Sequence, residues 1–170
     1  MFIKKFIEYD PVVNAGTFKL GTPFSCNTTF QLDANPNIIL IFGKNADYYL
    51  TEIELLDFDY MLPLKLLKLI PNALLHCNEV SLLKRRKLFQ NVSYDDTEVE
   101  LEFVYDKITD KAILYFDEQS VETINCIVAE NFPANGKIAF YLDKQNKLIK
   151  VEFMEPKFML PQVISELLLH

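Results

Sequence analysis

Tryptophan is absent, and glycine (4), histidine (2) and cysteine (3) are scarce in a chain of 170 residues. Gly16, Gly21, Gly43 and Gly136 make no G-x-G-x-x-G or Walker loop, so nucleotide binding through a glycine-rich backbone is not expected. His76 and His170, with Cys26, Cys77 and Cys126, give no zinc-type spacing, and no calcium loop of the D-x-D-x-D-G kind is present. Neither a metal nor a cofactor is therefore expected. His76 and Cys77 are neighbours in sequence, which on a helix point about 100° apart, so they do not make a nucleophile and its base. Serine has no G-x-S-x-G elbow. No apolar run reaches the roughly 18 residues of a membrane span. Basic charge is also short, with 17 Lys and Arg against 24 Asp and Glu and a net charge of -7. That balance opposes a protein that coats nucleic acid, because phosphate binding needs a cationic surface.

What is present is apolar: 50% of the residues are hydrophobic and 13% aromatic, which requires a folded core. The segment Met1-Phe2-Ile3-Lys4-Lys5-Phe6-Ile7-Glu8-Tyr9-Asp10 lacks the apolar stretch and cleavage site of a secretory signal. The cysteines are odd in number and sit in no C-x-x-C pair, which suits a reducing compartment. A cytoplasmic protein is expected, with neither membrane nor nucleic acid as its partner.

A faint internal repeat organises the chain. Tyr9-Asp10 returns as Tyr105-Asp106, and Met61-Leu62-Pro63 returns as Met159-Leu160-Pro161. Between them Phe42 answers Phe140, Leu50 answers Leu148, and Glu54 answers Glu152. Each copy opens with a strand, Ile3 to Tyr9 or Val99 to Tyr105; the second alternates Glu98-Val99-Glu100-Leu101-Glu102-Phe103, which means one buried and one wet face. Turns rich in Asp and Asn follow. Short strands then come at Thr17 to Leu20 and Ala112 to Phe116, and hairpins at 38–55 and 138–153. Each copy closes on a helix with a proline in its first turn, Pro63 or Pro161. Leu64, Leu67 and Ile70, and Val163, Ile164, Leu167 and Leu168, supply the apolar stripes. Residues 71–97 read as a helical connector. The expected fold is α+β: two similar antiparallel β-meander units, 1–70 and 98–170, each ending in a short helix, joined by that connector and packed as one body.

Residues 103 to 161 carry Tyr105-Asp106, the strand Ala112-Ile113-Leu114-Tyr115-Phe116, Tyr141-Leu142-Asp143-Lys144 and Val151-Glu152-Phe153. In these the second unit resembles a small uncharacterised bacterial β-meander domain family. The hairpin glycine usual there is replaced by Asn146 or Lys147. The resemblance implies a β-meander and no activity.

Few residues are left to do chemistry. The carboxylate pairs Asp57 with Asp59, Asp95 with Asp96, and Asp117 with Glu118 read as solvated turns rather than acid–base machinery. Lys84-Arg85-Arg86-Lys87 reads as the polar last turn of a helix, where cations suit the dipole, rather than as a phosphate contact. Residues 97–170 hold 13 acidic and 7 basic side chains. Aromatics such as Phe18, Tyr48, Tyr49, Phe116 and Tyr141 line a ligand pocket on one reading and fill the core on the plainer one.

The acidic row Asp95, Asp96, Glu98, Glu100 and Glu102 sets five negative charges within about 25 Å of extended chain. Its plain role is that of an ordinary wet β-face with charges that deter edge pairing; its functional role is a patch complementary to a basic protein. The expected function is that of a non-enzymatic, acidic cytosolic binding protein. In size and charge it is similar in type to bacterial immunity proteins, which block a basic, nuclease-like toxin by occlusion, although no motif is shared. The alternative is a small-ligand-binding module or an oligomerising scaffold.

Overall fold

The computed structural model describes residues 1–22, 27–74 and 95–169. Five strands come from the first part of the chain: β1 Phe2–Asp10, β2 Ala15–Lys19, β3 Asn27–Gln31, β4 Ile38–Lys44 and β5 Tyr48–Leu55. Three four-residue helices follow, α1 Phe58–Met61, α2 Leu64–Leu67 and α3 Pro71–Leu74. Then come β6 Asp95–Asp106, β7 Lys111–Tyr115, β8 Asn125–Ala129, β9 Lys137–Leu142 and β10 Leu148–Met154. The helices α4 Pro156–Met159 and α5 Pro161–Leu168 close the described chain.

All ten strands join one antiparallel sheet in the order β3-β4-β5-β2-β1-β6-β7-β10-β9-β8. This overturns the expected α+β pair of meander-plus-helix units joined by a helical connector. The protein is mostly β, a single sheet curled into a half-barrel, and helix is confined to short pieces. β1 pairs directly with β6, from Phe2 opposite Glu102 to Tyr9 opposite Asp95. The physical reason lies in the edges. Two separate sheets would leave four rows of unpaired N–H and C=O groups, whereas joining them through β1 and β6 leaves two. Nor are the halves meanders, because β5 lies beside β2 while β3 stands at an outer edge. Of the expected connector, Pro71–Leu74 is helical and Asp95–Thr97 is already strand; the rest lies outside the described residues.

Outward from the centre, both halves use one pattern of pairing, β1-β2-β5-β4-β3 and β6-β7-β10-β9-β8. Local bonds recur with it. Tyr9 donates its hydroxyl to Asn14 Oδ1 at 2.9 Å, and Tyr105 donates to Asp110 Oδ1 at 3.0 Å. Asn14 and Asp110 both adopt left-handed backbone, as do Asp57 and Glu155, which precede α1 and α4. Short polar side chains that bond locally tolerate that conformation best, and Asn146, in the turn between β9 and β10, adopts it too, at φ 61°.

The inner face of the curl is the core. On β6 Val99, Leu101 and Phe103 point inward and Glu98 and Glu100 outward, so the alternation read from sequence sets the face. Phe18 from β2 meets Phe116, just past β7, edge-on at 4.7 Å across the concavity. Phe132, in the loop after β8, stacks on Phe42 of β4 at 5.3 Å and meets Phe30 of β3 at 6.1 Å, which brings the two far ends of the sheet together. The helices cap this core unevenly. Leu66, Leu67 and Ile70 are buried, but Leu64 is exposed; Val163 and Ile164 are buried, while Leu168 is exposed.

Candidate acidic face

The acidic row lies in the middle of the sheet's outer face. Asp96, Glu98 and Glu100 are exposed and Glu102 is half-buried, all on β6. Asp95 starts the same strand, and its side chain lies outside the described residues. Because β6 is a central strand, the row does not guard an edge, and that plain role is corrected; the edges are β3 and β8.

Register supplies the rest of the face. Asp96 stands opposite Glu8, which stands beside Thr17 and, one strand further, Glu54. Glu98 stands opposite Phe6, followed by Lys19 and Glu52. Glu100 faces Lys4, and Glu102 faces Phe2. Between the Asp96 row and the Glu102 row, strands β5, β2, β1 and β6 thus carry Glu8, Glu52, Glu54, Asp96, Glu98, Glu100 and Glu102 against only Lys4 and Lys19. The sequence reading missed β1, β2 and β5 as parts of this surface. The alternation Phe2, Lys4, Phe6, Glu8 was visible, but not the strand it would lie beside.

Neutralisation is partial. Lys19 Nζ lies 2.7 Å from Glu8 Oε2, and Lys4 Nζ lies 3.8 Å from Glu98 Oε1. The hydrogen bond from Lys19 to Glu8 raises the lysine's pKa, against the opposing effect of burial. Burial pushes Glu52 above the usual carboxylate range; Glu8 and Glu54 push the same way and Lys19 opposes them. Glu102 accepts a hydrogen bond from Gln119 Nε2 at 2.6 Å. Lys5 lies on the other face of β1, where its ammonium reaches Glu166 Oε2 at 3.7 Å and the Leu20 carbonyl at 3.5 Å. A wide face of carboxylates with few cations attracts positive charge and accepts hydrogen bonds.

Comparison with known protein families, with characterised proteins and with solved structures finds no match.

The remaining candidates separate cleanly. Asp57 precedes α1 in left-handed backbone, Asp59 accepts from Asn14 Nδ2, and Asp117 Oδ1 accepts from the Glu118 N–H at 2.8 Å, so these carboxylates organise turns. Phe18 and Phe116 are core residues. Tyr48 and Tyr49 line a cavity of about 700 Å³ with Lys44, Lys157 and Phe158. Tyr141 sits on the outer face under Lys150, whose Nζ is 4.8 Å from the ring; burial first, then Glu152 and Cys126, push its hydroxyl up to about 12. Cys126 is exposed on β8. His76, Cys77, Cys26, His170 and Lys84-Arg85-Arg86-Lys87 lie outside the described residues. Among the described residues, no group of three or more His, Cys, Asp or Glu is placed to hold a metal ion, and no helix is long and apolar enough to cross a membrane.

Proposed function

We propose that this is a non-enzymatic cytoplasmic binding protein that covers a basic surface of another protein, in the manner of an immunity protein occluding a nuclease-like toxin. The surface used is the outer face of β5, β2, β1 and β6. The observation that carries the reading is the register there, which gathers seven carboxylates against two ammonium groups on four adjacent strands. Such a face steers a cationic partner and speeds its association, an effect that salt suppresses.

The test is recovery of the partner from native cells, followed by binding of the purified pair at about 50 and 500 mM salt. A basic partner whose affinity falls at high salt and collapses with Glu98→Lys, Glu100→Lys and Glu102→Lys together is the expected result. Affinity indifferent to both the salt and the triple change removes this face from the proposal.

A second reading, a small-ligand module, is favoured by the cavity beside Tyr48, Tyr49 and Phe158, which is of a size that holds small molecules. A stoichiometric small molecule released from the purified protein on denaturation, detected by mass spectrometry, would select it.

A further inference from the structure

Two phenylalanines break the acidic face at its centre. Phe2 is 67% exposed and Phe6 is 49% exposed, although both belong to the innermost pair of strands of a ten-stranded sheet. Their placement is symmetrical: Phe2 is opposite Glu102, Phe6 is opposite Glu98, and Lys4 opposite Glu100 lies midway. Both rings belong to β1 and both carboxylates to β6, so the second pair repeats the first four residues further along the two strands. Residues directly opposite have Cβ atoms about 5 Å apart, so each ring stands beside a carboxylate. Among the described residues, neither carboxylate is consumed by its neighbours: Glu98 has the long, exposed contact with Lys4, and Glu102 holds one amide from Gln119.

A ring face beside a carboxylate suits one side chain above others. A guanidinium stacks flat on the ring and offers its fork of N–H groups to the carboxylate, whereas an ammonium is a strongly hydrated point charge that does not stack. Lys4 lies between the two pairs and disfavours a third cation at the midpoint.

We infer that Phe2–Glu102 and Phe6–Glu98 are two equivalent arginine seats, and that the partner is a protein presenting two arginines about 13 Å apart, the length of four residues of strand. This rests on the acidic-face reading and sharpens it from positive charge to arginine at a stated spacing. Two arginines four apart on an extended segment meet that spacing and point to the same face.

The experiment is an NMR titration of the full chain, at about 50 mM salt, with extended peptides bearing two arginines four residues apart, the same peptide with two lysines, and a version with the arginines two apart. The four-apart arginine peptide is expected to shift the amides of 2–6 and 98–102 and to bind about tenfold more tightly than either of the others. Phe2→Leu with Phe6→Leu is expected to erase the arginine preference while leaving lysine binding unchanged. Glu98→Gln with Glu102→Gln is expected to weaken all three peptides. Equal binding of arginine and lysine peptides that still depends on the glutamates overturns the seats and leaves the acidic-face reading standing. Absence of shifts on this face with every peptide overturns both.

Discussion

The two halves of the sheet pair their strands in the same order but fill equivalent positions with different chemistry. In the first, the turn residue that accepts the Tyr9 hydroxyl is Asn14, which is buried and passes its own amide on to Asp59. In the second it is Asp110, which accepts from Tyr105 and has Lys157 Nζ at 3.6 Å from its other oxygen. Gly16, the second residue of β2, lies beneath the ring of Phe58, while Ala112 takes its place in β7, where Pro156 follows the left-handed Glu155 instead of a phenylalanine. The outer faces diverge too. Glu52 and Lys19 of one half correspond to Lys150 and Tyr115 of the other. A shared pattern of backbone pairing therefore tolerates exchange at the surface, while the turn and its covering ring must change together.

Exchanging residues between the halves tests that lesson. The largest effect is expected from Asn14→Asp, which would set a carboxylate against Asp59 at a buried position, where the Lys147 ammonium is engaged with the Asp59 carbonyl; a loss of about 3 kcal/mol in urea unfolding is expected, against less than about 1 kcal/mol for Asp110→Asn, which keeps the acceptor for Tyr105. Similar losses from the two variants would mean that the turns are equivalent after all. Next comes Gly16→Ala. A Cβ there would lie within the Phe58 ring, so about 2 kcal/mol of destabilisation is expected, and Ala112→Gly should cost about half that. Loss-free replacement at Gly16 would show that Phe58 yields freely.

The smallest effect belongs to the outer face. Glu52 has its pKa raised above the ordinary 4.5, chiefly by burial, so the folded state holds its proton more tightly than the unfolded chain. Ionised Glu52 therefore costs stability; the cost is absent below its unfolded value and fully present once the pH has passed its folded value. Glu52→Gln should raise stability at neutral pH by no more than about 0.5 kcal/mol, and the gain should vanish in acid. A gain unchanged by acid would show that charge is not its source.

Much of this was legible residue by residue. The run from Glu98 to Phe103 announced a strand with one wet face, and Tyr9-Asp10 and Tyr105-Asp106 marked the turns that both halves use. The edge strands were not legible: Asn27–Gln31 is polar but for Phe30, and Asn125–Ala129 has no alternation, because an edge buries too little to impose one. The acidic row was read as one strand's property. Its partners Glu8, Glu52, Glu54, Phe2 and Phe6 come from strands distant in sequence, and local pattern carries no signal of such neighbours.

The amino-acid order by itself determined the period of inner strands such as β6, the residues that point inward there and the acidity of the wet side, since these follow from side-chain alternation along a single extended chain. Only the tertiary structure decided that β1 pairs with β6, that β5 returns to β2, and that Phe2 and Phe6 stand opposite carboxylates on the outer face. Those are choices of neighbour, made by satisfying backbone groups at open edges and burying rings such as Phe18, Phe116 and Phe132 in one enclosure.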